Sequence, residues 1–291
     1  MSAARDRSRT VFGHRFQNPL ILAAGTAGFG RELDGIIDLD RLGGIVTKAV
    51  SLEPRHGNDP PRVAEFRGGM LNSVGLANPG LDEVRTHAMP WLASRLSRAR
   101  VIVNVVGFTV EEYAEVVGGL DGIAPIVAFE LNLSCPNTSA GGIEFGADAG
   151  CVHRIVALCR SRTTLPIAAK LSPVLPDIAG MALVARDAGA DAISVLNTMP
   201  GQLFDPDGMG RLGNGYGGVS GPALLPLGLL AVARVLERTG GMPVIGVGGV
   251  RSAADVEQYL RVGASLVGLG TGALANPRLP ERIVADLEGH A

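Results

Sequence analysis

Eight short apolar runs, each followed by a segment with helical periodicity, constrain the fold of this chain more than any other feature. The runs are rich in Val, Ile and Leu and end in small or polar residues, as expected for parallel strands buried on both faces. They span 19–25, 44–50, 100–107, 128–135, 166–172, 191–198, 243–249 and 266–272. Apolar residues return every three to four positions at 111–117, 178–188, 223–237 and 253–262. This alternation predicts a (β/α)8 TIM barrel, with an open doubly wound sheet as the alternative.

The bulk composition indicates one globular domain without a nucleic-acid or membrane partner. The 291 residues are 46% hydrophobic and 19% charged and contain no linker-like stretch, so we expect a single barrel domain over 1–291, with 1–15 as an N-terminal arm. A net charge of −2 without a basic run argues against nucleic acid and anionic membranes. The longest apolar stretch, 224–236, is interrupted by Pro226 and Arg234, and no signal peptide is visible. We therefore expect a cytoplasmic protein.

The three cysteines are Cys135, Cys151 and Cys159, a number that suits a reducing compartment better than a disulfide framework. Cys151 and Cys159 fall in a predicted helix, and we interpret them as packing residues. No set of four ligands exists, so the chain is not expected to hold a metal or an iron–sulfur centre by itself.

Polar side chains stand in or at the ends of five predicted strands, where barrel enzymes carry their active sites. They are Lys48, Asn104, Asn132, Cys135, Lys170, Asn197 and Thr198. One such residue is often only a loop cap, but their agreement across five strands predicts an active site at the C-terminal face.

The segment 132–137, with the sequence N-L-S-C-P-N, places one thiol between two carboxamides. Asn132 and Asn137 can hold a planar, amide-rich ligand while Cys135, as a thiolate, removes a proton from it. The alternative is a free cysteine beside a turn made by Pro136 and Asn137.

Glycines end the last two predicted strands, at 246–249 and 268–272, the part of a barrel where phosphate groups commonly bind. Their backbone N–H groups can approach an anion closely, although tight turns would use the same residues. Position 251 is Arg and no suitably spaced acid follows, so a mononucleotide phosphate fits better than NAD.

With these motifs the chain resembles the dihydroorotate dehydrogenase family, FMN-dependent (β/α)8 enzymes of pyrimidine synthesis that oxidise dihydroorotate to orotate. The matching segments are GIVTKAV at 44–50, GNDPPRVAE at 57–65, GMLNSVGLANPG at 69–80, ELNLSCPN at 130–137, AKLSP at 169–173, VLNT at 195–198, GGVSGPA at 217–223 and VIGVGGV at 244–250. Several of them resemble the NAD-linked class (class 1B). The catalytic subunit of that class works with a second subunit that carries FAD and a [2Fe–2S] cluster.

The resemblance implies a role for each matching residue. Substrate carboxylate and ring amides would be held by Lys48, Asn72, Asn132, Asn137, Asn197 and Thr198. One FMN would be held by Ala24, Gly25, Lys48, Asn104, Asn132, Lys170 and Gly221, with its phosphate on Gly248, Gly249, Gly270 and Thr271. Lys170 would stabilise negative charge at the N1/O2 edge of the flavin. Lys48 would lie between flavin and substrate as a catalytic residue, and Cys135 would take the C5 proton while the C6 hydride moves to flavin N5.

The resemblance also implies a homodimeric core of a heterotetramer that passes electrons through the partner subunit to NAD+. Quinone-linked relatives carry Ser where this sequence has Cys135, and they carry an N-terminal extension that we do not expect in this protein. Its segment 199–217, with Tyr216 where a small residue is common, departs from the usual family loop. Four alternatives stay open: a dihydropyrimidine dehydrogenase-like reductase, a fumarate-linked dihydroorotate dehydrogenase acting alone, a non-redox phosphate-binding barrel that uses Lys170, and a flavin-free structural subunit.

Overall fold

The computed structural model describes residues 6–133, 136–137 and 143–289. Its strands, in chain order, are β1 (Arg9–Val11), β2 (His14–Phe16), β3 (Leu20–Leu22), β4 (Gly44–Val46), β5 (Val63–Phe66), β6 (Gly69–Asn72), β7 (Arg100–Val105), β8 (Ile126–Asn132), β9 (Pro136–Asn137), β10 (Ile143–Glu144), β11 (Ile167–Lys170), β12 (Ala192–Val195), β13 (Met199–Gly201), β14 (Gly217–Ser220), β15 (Val244–Val247) and β16 (Leu266–Leu269).

The α-helices are α1 (Leu81–Glu83), α2 (Met89–Arg95), α3 (Val110–Leu120), α4 (Ala149–Arg160), α5 (Ile178–Asp187), α6 (Leu225–Thr239), α7 (Ala253–Val262), α8 (Thr271–Ala275) and α9 (Leu279–Glu288). A π-helical turn, Val84–Ala88, joins α1 to α2, and short 3-10 turns occupy Arg31–Leu33, Leu39–Arg41, Phe145–Ala147 and Pro222–Leu224. The four helical segments predicted from periodicity are confirmed as α3, α5, α6 and α7.

Eight parallel strands close into one barrel in the order β3-β4-β7-β8-β11-β12-β15-β16, with β16 paired to β3. Each of the eight predicted runs overlaps one of these strands; seven contain the strand whole, whereas β8 begins two residues before the run at 128–135. The predicted TIM barrel is therefore confirmed and the open sheet is wrong. The predicted runs extend beyond the strands because they include the small or polar residues that follow each strand at the C-terminal face.

Side-chain caps explain where four of the outer helices begin. Thr109, Asp148, Asp177 and Ser252 stand just before α3, α4, α5 and α7, and each side-chain oxygen accepts a backbone N–H from the third residue beyond it. Such caps satisfy N–H groups that the first helical turn leaves without a partner. The caps therefore fix the residue at which each loop of the C-terminal face ends and its helix begins.

The N-terminal end of the barrel is filled by apolar side chains and closed by the β1–β2 hairpin. Val11 and Phe16 of the hairpin are buried against a cluster from the barrel strands: Ile21, Val46, Ile102, Val127, Ala128, Ala168, Ala192, Ile245 and Leu266. Phe16 is fully buried and meets Phe12 edge to face, with ring centroids 6.3 Å apart. Residues 9–15 of the segment expected to be an arm thus belong to a hairpin that packs on this end of the barrel.

A second, antiparallel sheet of order β13-β14-β6-β5 is assembled from two insertions, one after β4 and one after β12. Leu71, Ala64 and Leu212 form its small buried core. The segment 199–217, read from sequence as a loop, therefore begins with a strand and ends at the start of another. Both strands are short and rich in glycine. They therefore show no clear alternation of apolar and polar residues, and the sequence did not predict them.

Cys151 and Cys159 are buried on α4 as predicted, and burial raises the pKa of the Cys159 thiol to about 12. Within the described ranges, no cluster of His, Cys, Asp and Glu could hold a metal ion. The helices described are all too short or too polar to cross a membrane.

Candidate active site

Polar side chains occupy the interior of the barrel immediately above its apolar filling. They are Asn104 on β7, Glu130 on β8, Lys170 on β11 and Ser194 on β12, and all are buried. Each stands two residues beyond an apolar residue of the filling, and side chains two apart on a strand share a face. We call Asn104, Glu130, Lys170 and Ser194 the inner polar layer.

Glu130 connects the other members of this layer. Its Oε1 accepts a hydrogen bond from Nδ2 of Asn104 at 2.7 Å and lies 3.6 Å from Nζ of Lys170. Glu130 is 1% exposed and Lys170 6% exposed, so both charges are removed from water and are tolerated as a pair. The backbone N–H of Asn104 donates to Oγ1 of Thr47 at 3.2 Å, which anchors β7 beside β4.

Two oxygens of the inner polar layer have no hydrogen-bond partner among the described residues. They are Oδ1 of Asn104 and Oγ of Ser194, and both side chains are fully buried. Buried polar atoms are nearly always paired, and an unpaired acceptor in a folded protein often marks a place for a ligand or an ordered water. The layer therefore presents hydrogen-bonding capacity that the protein leaves unused.

Carboxamides and a hydroxyl stand above this layer. Nδ2 of Asn197 lies 3.4 Å from Oδ1 of Asn132, and the backbone N–H of Thr198 donates to Oδ1 of Asn197 at 2.8 Å. The phenol of Tyr113 donates to the carbonyl of Asn132 at 2.8 Å and holds the end of β8. Asn132, Asn197 and Thr198 are half-buried, so their side chains can reach both solvent and a ligand.

The second sheet brings Asn72 to the same place. Nδ2 of Asn72 donates to the carbonyl of Gly218 at 3.1 Å, and a side chain at Gly218 would collide with the hydroxyl of Thr198. Glycine on β14 thus allows Asn72 from one insertion and Thr198 from the other to approach the same backbone. We call Asn72, Asn132, Asn197 and Thr198 the amide rim.

Lys48 follows β4, where its backbone N–H donates to the carbonyl of Gly28 at 2.8 Å. Its side chain is half-buried, and none of the described residues forms a hydrogen bond or ion pair with its ammonium. The neighbouring loop after β3 carries half-buried Ala24 and exposed Gly25, which has φ of 78° and empty space where a side chain would stand. Lys48 and the loop that carries Ala24 and Gly25 are therefore neighbours at the C-terminal end of the barrel.

The glycines of the last two strands serve different purposes. A Cβ on Gly270 would meet no atom closer than 3.8 Å, so the protein leaves that space free. Gly249 instead packs against the backbone of Leu225 at φ of 75°, and Gly248 has φ of 125°. Gly246 is glycine because the buried ring of Tyr259 occupies the place of its side chain, a packing reason that the sequence reading did not give.

A hydroxyl pair links the second sheet to this glycine region. Oγ1 of Thr271, after β16, lies 2.7 Å from Oγ of Ser220 at the end of β14. Gly221 follows with φ of 127° and packs its backbone on Gly69 of β6. Gly221, Gly270 and Thr271, predicted from sequence to serve one cofactor, are thus brought to one edge of the barrel mouth.

Two of the predicted residues are not described at the level of their side chains. Cys135 lies outside the described residues, and Asn137 is described only as part of β9, which pairs with β10. Their predicted roles as base and substrate ligand remain predictions.

Sequence reasoning missed three polar residues of the site: Glu130, Ser194 and Ser220. For Glu130 a signal was available, because it stands two residues before Asn132 in a strand and so shares its inward face. Ser194 carried no such signal, because a serine within a buried strand is common and only the accounting of hydrogen bonds reveals that its oxygen is unpaired.

Comparisons with known proteins agree with this architecture. The family model described as dihydroorotate dehydrogenase matches residues 7–290. A protein of Desulforudis audaxviator named dihydroorotate dehydrogenase B (NAD(+)), catalytic subunit, is 43% identical over 281 residues, covering 96% of this chain and 90% of that protein. One of the same name from Geobacillus kaustophilus is 42% identical over 276 residues, covering 94% and 87%.

Among solved structures, the Eimeria tenella DHODH crystallised with ferulenol superposes with a TM-score of 0.82 at 22% identity, covering 97% of this chain and 83% of that one. This likeness supports the fold. The match of the family model over almost the whole length, together with relatives above 40% identity, shows that the chain belongs to the dihydroorotate dehydrogenase family.

Proposed function

We propose that this chain is the FMN-dependent catalytic subunit of an NAD-linked dihydroorotate dehydrogenase, which oxidises dihydroorotate to orotate in pyrimidine synthesis. The observation that carries the proposal is that two sets of polar side chains, the inner polar layer and the amide rim, lie one above the other at the C-terminal mouth of the barrel. The inner polar layer offers a buried cation and two oxygens that have no partner in the described part of the chain, and the amide rim above it offers carboxamides. Lys170 and Asn132 are register partners on adjacent strands, so the two sets adjoin.

The residues present fit a flavin mononucleotide. The unpaired oxygens of Asn104 and Ser194 are available to a heterocycle with N–H and carbonyl groups, and the free space above Gly25 and Gly270 would admit its chain and phosphate. Ala24, Gly221, Gly248, Gly249 and Thr271 would complete the site. When bound, FMN would supply the hydride acceptor that the oxidation of a carbon–carbon single bond requires.

The amide rim suits a substrate that has both a carboxylate and ring amides. Asn72, Asn132, Asn137 and Asn197 can each donate to an oxygen and accept from a ring N–H, and Thr198 adds a hydroxyl. The ammonium of Lys48, which has no partner among the described residues, would supply a positive charge for the carboxylate or for negative charge that develops during reaction. Cys135, which lies two positions after Leu133 and outside the described residues, would remove the proton from the substrate carbon.

Electrons would leave through a partner. The chain has no dinucleotide fingerprint and too few cysteines for an iron–sulfur cluster, so direct reduction of NAD+ has no evident site. A subunit with FAD and a [2Fe–2S] cluster, bound to a homodimeric core in a heterotetramer, would provide both functions. The names of the relatives, as catalytic subunits of an NAD(+) enzyme, support this arrangement.

One visible spectrum tests the cofactor and the substrate together. The purified chain should be yellow, and acid extraction should release about one FMN per chain, the stoichiometry expected of one site per barrel. Anaerobic dihydroorotate should bleach the flavin, whereas dihydrouracil, which lacks the carboxylate, should not. A colourless protein would favour the non-redox barrel, and bleaching by dihydrouracil alone would favour a dihydropyrimidine dehydrogenase-like reductase.

A second assay tests the electron acceptor. With dihydroorotate the isolated chain should reduce artificial dyes well and NAD+ poorly, and it should gain NAD+ activity with the FAD/[2Fe–2S] subunit. Rapid turnover of NAD+ or fumarate by the isolated chain would contradict the two-subunit arrangement and leave the flavin chemistry intact.

A further inference from the structure

The carboxylate of Glu130 has no part in the site roles given above, although it is 1% exposed at the centre of the inner polar layer. A buried carboxylate is unfavourable unless it is paired and hydrogen-bonded. Both Nδ2 of Asn104, at 2.7 Å, and Nζ of Lys170, at 3.6 Å, face the same oxygen, Oε1. The residue therefore joins two side chains that we assign to the cofactor site.

A carboxylate opposite an ammonium accepts hydrogen bonds and donates none. Asn104 must accordingly turn its NH2 group toward Glu130, because its own oxygen would repel the carboxylate. The backbone of Asn104 is held by Oγ1 of Thr47 at 3.2 Å, which leaves rotation of the carboxamide as the remaining freedom. Glu130 thus determines which end of that carboxamide faces away from it.

The end that faces away is Oδ1 of Asn104, which is buried and has no partner among the described residues. An unpaired buried acceptor is unfavourable, and a ligand that donates a hydrogen bond to it would satisfy it. The ring imide N–H of a flavin is a donor of this kind. A carboxamide turned the other way would present its NH2 group to the ring N–H, and the two donors would repel each other.

We propose that Glu130 is a positioning residue of the cofactor site, which holds the Asn104 carboxamide with its oxygen toward the ligand as a hydrogen-bond acceptor. This inference rests on the proposed function, since it takes FMN as the ligand. It assigns to Glu130 an indirect role that acts through Asn104 and involves no contact with the ligand.

The test is a double-mutant cycle on the dissociation constant of FMN. It is measured by diluting the purified flavoprotein and following the fluorescence of released FMN. Glu130→Gln keeps the size of the side chain but supplies an NH2 group of its own, so the Asn104 carboxamide can turn. The dissociation constant should rise about tenfold, the change expected for loss of one hydrogen bond. In an Asn104→Ala background the same substitution should change it less than about twofold.

Asp191→Asn is the matched control, because it makes the same acid-to-amide change in an ion pair with Arg160 at the opposite end of the barrel. It should leave the dissociation constant unchanged. Melting temperatures of all variants check that they fold. Glu130→Met, which also removes the carboxylate that holds the Asn104 NH2 group, replaces Glu130→Gln if the latter does not fold.

Three outcomes would overturn the inference. An unchanged dissociation constant in Glu130→Gln would show that Glu130 does not position Asn104. An equal rise with and without Asn104 would show that Glu130 acts by another route, such as Lys170. Absence of flavin from the wild-type protein would reject the proposed function and this inference with it, whereas the first two outcomes would leave the proposed function intact.

Discussion

The lower and upper halves of the barrel interior are built by the same strands, yet their side chains have opposite chemistry. Ala128 lies in the lower half and Glu130 in the upper half of β8, and the same step of two residues leads from Ala168 to Lys170 on β11. The lower half, at the N-terminal end of the strands, is apolar and is closed by the hairpin residue Phe16. The upper half contains a buried ion pair and two oxygens to which no described residue forms a hydrogen bond.

This difference separates the part of the barrel that stabilises the fold from the part that holds a ligand. Apolar burial contributes roughly 25 cal/mol for each Å² removed from water, and the lower half gains it without unpaired polar groups. The upper half carries desolvated polar groups that stabilise the apoprotein poorly. We therefore expect substitutions in the lower half to change stability and those in the upper half to change chemistry and binding.

The largest effect is expected at the base. Cys135→Ala should slow anaerobic reduction of the bound flavin by dihydroorotate about 100- to 10,000-fold, the usual range for loss of a general base. Flavin should remain bound, because the substitution removes no group that we assign to FMN. Stopped-flow absorbance measures the rate. Cys135→Ser should also be slow at neutral pH, because a hydroxyl ionises much less readily than a thiol.

Cys159→Ala is the matched control for this substitution, since Cys159 is a buried packing residue on α4. Its reduction rate should equal that of the wild type. A rate within about threefold of wild type in Cys135→Ala would remove the proposed base from the mechanism.

The next effect is expected in the lower half. Phe16→Ala should reduce the free energy of unfolding by about 3–5 kcal/mol, because it opens a cavity beneath the barrel. Urea denaturation measures the loss, and the folded fraction should still hold one FMN per chain. Phe204→Ala is the control: Phe204 is 59% exposed, so its loss should change stability by no more than about 0.5 kcal/mol. Loss of flavin from folded Phe16→Ala would contradict the division between a lower half that stabilises the fold and an upper half that holds the ligand.

The smallest effect is expected at Gly270, which lies with Gly221 and Thr271 at one edge of the upper half. Gly270→Val should raise the dissociation constant of FMN about 10- to 100-fold, because its side chain would enter the space that the protein leaves free. Flavin fluorescence on dilution measures it. Gly118→Val is the control, since its Cβ would meet Arg162 on the outer surface at an ordinary 3.7 Å. Unchanged affinity in Gly270→Val would mean that the phosphate lies elsewhere.

The sequence by itself predicted the eight β/α units and many, though not all, of the polar residues that lie at the mouth of the barrel. Alternating β and α periodicity has one closed solution for eight units, and polar residues at strand ends, such as Lys48 and Lys170, must then converge on one face. The tertiary structure alone decided how the residues pair. Glu130 meets Asn104 only because β7 and β8 are adjacent and in register. Asn72 and Thr198 both approach Gly218 only because two insertions, 146 residues apart at Asn72 and Gly218, form one sheet. Period and composition are local properties of a chain, whereas register between distant strands is settled by packing and hydrogen bonding of the whole fold.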